Sequence, residues 1–234
     1  MENKTSKYFK YALGEIILVV IGILIALQIN NWNQQRLDSK KEVAYLKEVL
    51  VSLKSDISQI DDVLKFNIEK DSIVTNLMLL FKADLTNDQR MAIIENYATP
   101  FTSYELFSPN ATAWNNFVSA ENINLIENED LRKKLVAYYS FDYNGSVQER
   151  IMIMNRKVID ENFPKFFTRE YTLKTLNLDT KLPTNKEFNL HLNQRFLSDL
   201  FGIRYLIKMQ NDFLNHTSIE IKALKTLINQ ELEL

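Results

Sequence analysis

The chain has 234 residues, with 28 Lys and Arg against 30 Asp and Glu, a formal net charge of −2, two His, no Cys, four Gly and four Pro. This balance excludes a nucleic-acid binder, whose phosphate partners need clustered Lys and Arg, and the lack of thiols excludes disulfides, a lipid-modified cysteine and thiolate metal sites. Gly and Pro this scarce suit long helices rather than a β-rich or disordered chain.

The first predicted element is a membrane span, Tyr11 to Ile29, reading YALGEIILVVIGILIALQI. Nineteen residues at about 1.5 Å each give roughly 28 Å, close to the roughly 30 Å hydrocarbon core of a bilayer. Between Ile16 and Ile29 lie eleven Leu, Ile or Val residues. At about 0.3 to 0.6 kcal/mol each they favour lipid by roughly 3 to 7 kcal/mol, against at most about 3 kcal/mol for the one acid, Glu15. A core helix of a soluble protein seldom runs this long without a polar face. Tyr8, Phe9 and Tyr11 precede the run and Trp32 follows among Asn30, Asn31 and Asn33, so that residues 11–32 comprise the span with its exit. Lys4, Lys7 and Lys10 sit closer to it than Arg36, Lys40 and Lys41 and are opposed only by Glu2. The expected topology is therefore a cytoplasmic segment 1–10 and an external, periplasmic domain 33–234 of about 200 residues. Ala26 has Leu24 two places before it instead of a small residue, so no signal-peptide cleavage is expected. Outside residues 1–30 the charge is 25 basic against 28 acidic, a mildly acidic surface.

From Val43 the residues Leu46, Leu50, Leu53, Ile57, Ile60 and Leu64 alternate three and four apart as a heptad seam. The next seam positions are Asn67 and Asp71, after which Ile73, Leu77 and Leu80 set up a shifted stripe, which predicts a register change or kink near 67–72. No Gly or Pro separates Trp32 from Leu80, so an unbroken helix is predicted to project roughly 70 Å from the membrane. Thr86 with Gln89 forms a capping box opening a short helix to about Tyr97, ended by Pro100. Residues 99–108 read as a loop, and Ser108-Pro109 as an N-cap and first helical position of a helix through Trp114 and Phe117. Asn128, Glu129 and Asp130 open a long helix carrying Leu131, Leu135, Tyr138, Ile151, Met154 and Val158, with a bend or break at Asn144-Gly145 and Pro164 just past its end. Residues 164–186 read as irregular. The last helix, from Glu187 or Asn193 to Glu231, places Phe196, Leu200, Ile203, Ile207, Leu214, Ile221, Leu224 and Ile228 on one heptad stripe broken only by Gln210 and Thr217. Three long amphipathic helices plus short ones predict an all-α chain, one N-terminal transmembrane helix continuing into an antiparallel bundle.

The run from Lys10 to Asn33, KYALGEIILVVIGILIALQINNWN, resembles the start of a family of uncharacterised Bacteroidota membrane proteins defined by a domain of unknown function. Ser103-Tyr104-Glu105, Ala113-Trp114 and the stretch NINLIENEDLRKKLVAYY from Asn122 to Tyr139 are similar to that family's middle block. The family commonly carries Ser-Gly where this chain has Ala120-Glu121. The resemblance implies one amino-terminal span, a helical extramembrane domain and inner-membrane residence; it implies no catalytic residue.

Glu15, Gly22, Ala26 and Asn33 fall within about 20° of one line at 100° per residue, so an acid and a small-xxx-small pair share a helix face. Such a face suits packing against another helix, which predicts a homo-oligomer or a second membrane protein as partner besides the lipid bilayer. The competing readings of Glu15 are a headgroup-level carboxylate beside Lys7 or Lys10, and a desolvated proton-coupled acid. His191 and His216, 25 residues apart, form no metal-binding pair, and Glu127, Glu129 and Asp130 have favourable charge for a helix start but no calcium-loop spacing. Neither a nucleophile elbow nor a phosphate loop is present, and no cofactor is implied. Phe163, Phe166, Phe167 and Tyr171 read as core closing the end of the bundle, or as a partner or membrane-surface contact. Tyr104, Trp114, Tyr138 and Tyr139 could line a cleft between helices or fill the core. Two function classes follow: an anchored, non-enzymatic sensor, scaffold or interaction module, and a subunit of a membrane enzyme, transporter or ion-driven complex using Glu15 or a cleft in the helical domain.

Overall fold

The structure, a computed structural model, describes residues 3–120, 122–184, 186 and 189–233. Glu2, Glu121 and Glu187, and the side chains of Lys4, Lys7, Tyr8, Lys10 and Tyr11, lie outside the described residues. All regular structure among the described residues is helical: α1 (Asn3–Leu79), α2 (Asn87–Thr102), α3 (Thr112–Ser119), α4 (Glu129–Ser140), α5 (Val147–Phe166), α6 (Arg169–Leu176) and α7 (Gln194–Leu232), with 3-10 turns at Asn122–Leu125 and Leu190–Leu192.

α1 spans 77 residues, roughly 115 Å. Near its start it is long and apolar enough to cross a membrane, with an 18-residue stretch of mean hydropathy 2.3 that is wholly unburied. Residues 33–41 continue as exposed helix apart from half-buried Asp38, and the bundle begins at Glu42. From there the buried positions, Ser52 apart, run Leu46, Val49, Leu53, Asp56, Ile60, Val63, Asn67, Lys70, Val74, Leu77, alternating three and four apart without a slip. The expected register change at 67–72 does not occur. Leu46, Leu53, Ile60 and Asn67 lie on the seam as predicted, but its second column is Val49, Asp56, Val63 and Lys70, while Leu50, Ile57 and Leu64 are only half-buried beside it. The seam passes through polar residues because each has a partner, so no shift is needed to keep apolar atoms inside.

α7 returns antiparallel along α1, as Asn67 bonds Gln210 and Asp71 pairs with Arg204. Its buried stripe is the predicted one, with Gln210 and Thr217 also buried in it. Two hydrophobic cores result. One joins α1, α3, α4 and the C-terminal half of α7 around Leu53, Phe107, Phe117, Leu135 and Leu214; the other joins the end of α1 with α2, α5 and the start of α7 around Leu77, Met91, Ile94, Phe196 and Leu200.

The capping box forms, Gln89 Oε1 accepting from the Thr86 N–H at 2.8 Å and Thr86 Oγ1 from the Gln89 N–H at 3.3 Å. α2 nevertheless continues to Thr102, with Pro100 in its last turn. The Ser108-Pro109 start is not used. Residues 103–111 stay extended and α3 begins at Thr112, because this segment bonds to side chains of other helices instead of coiling on itself. Asn128 caps α4 by accepting from the Leu131 N–H at 3.1 Å. The break at Asn144-Gly145 falls between α4 and α5, and α5 runs past Pro164 to Phe166. The stretch expected to be irregular contains α6, capped by Thr168 and closed by Asn177 in the left-handed region at φ 52°.

Candidate functional site

Polar side chains inside a helical bundle are the first place to look for chemistry, and here they converge on the extended segment 103–111. Gln148, fully buried, donates to the carbonyls of Phe107 (2.8 Å) and Tyr143 (2.9 Å) and accepts from the Phe107 N–H (2.7 Å). Gln210 donates to the Glu105 carbonyl at 3.0 Å and accepts from Asn67 at 2.8 Å. Lys70 donates to the Ser103 carbonyl and Asn155 to the Thr102 carbonyl. Asp56 accepts from the Asn110 N–H at 2.7 Å through one oxygen and from the Tyr138 hydroxyl at 2.8 Å through the other. α1, α5 and α7 thus supply, from side chains, the partners that a neighbouring strand would give this backbone.

That accounting decides what the cluster can do. Asp56 with Tyr138 has the composition of an acid–base pair, and burial raises the Asp56 pKa against the lowering effect of its bonds to Asn110 and Tyr138. Both carboxylate oxygens are occupied, however, and the residue is 1% exposed, so no atom is left for a substrate. Lys70 is buried with no carboxylate paired to it among the described residues, and desolvation lowers its pKa to about 8. Its ammonium sits at the C-terminal end of α2, where the helix dipole favours a cation. The cavity beside it, lined also by Tyr104 and Asn155, is about 20 Å³, enough for one water. Arg90 does the same for α1, bonding the carbonyls of Leu80, Ala83 and Leu85 after that helix ends. These groups hold the fold.

A larger cleft of about 500 Å³ opens between α4 and α7. Tyr138, Phe141, Tyr143 and Phe213 form its wall, and Lys134, His216 and Glu220 are its charged or ionisable residues. The rings touch one another, Phe141 and Tyr143 with centroids 4.8 Å apart and Phe213 6.1 Å from each. Burial first, then the Glu220 charge, push the Tyr143 pKa up. On the outer face of α1 and α7 a shallower groove of about 600 Å³ carries exposed Ile68, Phe201 and Tyr205 around the Asp71–Arg204 pair.

The structure distributes the residues singled out from sequence. Glu15, Gly22 and Ala26 are exposed on the first part of α1, and a Cβ at Gly22 would meet nothing within 4 Å. Trp114 is buried and stacks on Tyr139 (5.1 Å, 11°), and Tyr139 touches Tyr138. Tyr138 reaches the large cleft, whereas Tyr104 lies by the small cavity at Lys70. The four therefore do not line one site. Phe141, Tyr143 and Phe213, which complete the cleft wall, carry little signal: two lie in a turn and the third is off the α7 stripe. Phe166 packs on Phe196 in the distal core, while Phe163, Phe167 and Tyr171 form a chain of ring contacts beside it. Glu129 and Asp130 pair one turn on with Lys133 and Lys134, both at 2.7 Å. Among the described residues no three His, Asp or Glu are grouped to hold a metal ion.

No curated protein and no solved structure matches the chain. A family model matches from Glu15, inside the apolar stretch of α1, to Asp199 in the second turn of α7, and so includes α4 and the extended segment with its partners on α1 and α5. The chain belongs to the family of unknown function DUF6090, whose model covers residues 15–199.

Proposed function

We propose that this chain is a membrane-anchored, non-enzymatic helical module that senses, scaffolds or assembles something outside the membrane. In this reading residues 11–32 cross the cell inner membrane with the amino terminus in the cytoplasm, and residues 33–234 stand in the periplasm. The span self-associates, or packs on another membrane protein, through the face carrying Glu15, Gly22 and Ala26. The observation that carries the reading is α1 itself: one helix without a break is apolar and unburied at one end and forms half of the bundle's seam at the other. A rigid rod shared by span and bundle passes a rotation or displacement at one end directly to the other. The buried polar groups around segment 103–111 support a non-enzymatic role, because Asp56, Gln148 and Gln210 are engaged by its backbone. The alternative, a subunit of a membrane enzyme, transporter or ion-driven complex, would draw on Glu15 or on the cleft between α4 and α7.

Two measurements test it. Full-length, unclipped protein is expected in the carbonate-resistant membrane fraction, and recovery in the soluble fraction would end the reading. A two-hybrid assay of the span is expected to report self-association that Gly22→Leu weakens; no association, or none lost, removes the oligomeric part.

A further inference from the structure

Taking the chain as the anchored interaction module just described, we propose that the cleft between α4 and α7 is a binding site for a small organic cation with an apolar body. At about 500 Å³ it has the size of small-molecule sites, and its wall is aromatic. Tyr138 and Tyr143 belong to the core behind them, Phe213 packs against it, and Phe141 lies against Tyr143 and Phe213, so the wall is preformed.

Charge decides the ligand. Glu220 stands at the cleft with its charge acting on the Tyr143 hydroxyl. Behind the wall lies Asp56, which accepts the Tyr138 hydroxyl at 2.8 Å. A phenol that donates to a carboxylate gains electron density on its ring, and an electron-rich ring face attracts cations. The cation of the cleft, Lys134, is engaged by Asp130 at 2.7 Å, and His216 lies 3.4 Å from Glu220, charged only when protonated. An anion entering the cleft would face Glu220 and an aromatic wall, which favours a cation over an anion. A neutral molecule of the same shape would gain burial alone. A cation gains burial, the rings and the carboxylate together.

The test is isothermal titration of the full chain in uncharged maltoside micelles with benzyltrimethylammonium chloride, and with choline against its uncharged isostere 3,3-dimethylbutan-1-ol. Saturable binding of both cations is expected, with the alcohol weaker than choline by about 3- to 5-fold or more. Glu220→Gln, at a solvent-exposed position, is expected to weaken benzyltrimethylammonium by a similar factor, whereas Glu48→Gln on exposed α1 changes nothing. Ala223→Trp fills the cleft and is expected to abolish binding, with circular dichroism confirming an intact fold. Displacement of the probe by phosphocholine would assign the natural cation to a lipid headgroup, and displacement by alkylamines alone to a free amine; either upholds the site. Equal binding of choline and the alcohol, or an unchanged affinity in Glu220→Gln, overturns the proposal. Absence of probe binding by the wild-type chain held in the carbonate-resistant fraction fails the site and spares the anchored module; release of the wild-type chain from the membrane with binding intact does the reverse.

Discussion

The first and second parts of α1 share one secondary structure and face two different environments. Residues 13–32 carry apolar side chains on every side of the helix, all exposed. Residues 42–77 concentrate burial, Ser52 apart, in two seven-residue columns and leave a mostly polar opposite face. Hydrophobic amount places the first part and hydrophobic period places the second. Polar residues also mean different things in the two. Glu15 has no partner from the bundle, whereas Asp56, Asn67 and Lys70 sit in the seam with hydrogen bonds that make burial tolerable. In the bundle the question for a buried polar group is therefore which backbone atom it serves.

Substitutions that strike one part and spare the other break this comparison most visibly. Leu53→Ala, at a fully buried seam position, is expected to lower unfolding free energy by about 4 kcal/mol in urea titrations, while Leu24→Ala in the apolar stretch leaves the bundle's urea midpoint unchanged. Equal effects would mean that the two parts fold as one unit. Next in size, Gln148→Leu strands the Phe107 N–H and the Phe107 and Tyr143 carbonyls, for an expected loss of about 3 kcal/mol. A loss as small as that of a surface change would show that segment 103–111 is not held by side chains.

A smaller effect concerns pH. Lys70 is a base whose folded pKa, about 8, lies below its ordinary 10.5, so between those values the folded chain binds fewer protons than the unfolded one and stability rises with pH. The penalty is complete below pH 8. Above about pH 10 the three tyrosines at 138, 139 and 143, whose pKa values burial pushes up, oppose the trend, because unfolded tyrosines ionise first. The readable window is pH 8 to 10, where the wild type should gain about 2 kcal/mol relative to Lys70→Met, whose own curve declines near pH 10 as the unfolded tyrosines ionise. Parallel curves for the two proteins would remove Lys70 as the cause. The smallest expected change is Thr86→Ala, which removes half of the α2 capping box and costs about 1 kcal/mol by thermal unfolding.

Much of the frame is written locally in the chain. The apolar run, the α7 stripe, the Thr86–Gln89 box and the Asn128 cap each depend on residues within a few positions of one another, so their chemistry is complete before any tertiary contact exists. α6 carries a weaker local signal, because its stop is Asn177 in a left-handed conformation, a role that Asn fills less often than Gly.

What tertiary structure decided is the partner of each ambiguous face. Leu46, Leu53 and Ile60 are flanked on the helix by Val49, Asp56 and Val63 on one side and Leu50, Ile57 and Leu64 on the other, and composition favours the second set. α7 and the extended segment lie against the first, where Asp56 and Lys70 find their partners. The cleft is likewise nonlocal: its wall joins α4, the turn after it and α7, residues about 70 positions apart. The chain by itself determined where the long helices run and which end of α1 is apolar enough to cross a membrane, because those depend on near neighbours and on hydropathy. Which polar residues go inside, and where a ligand-sized space is left, depended on what distant backbone each helix face came to touch.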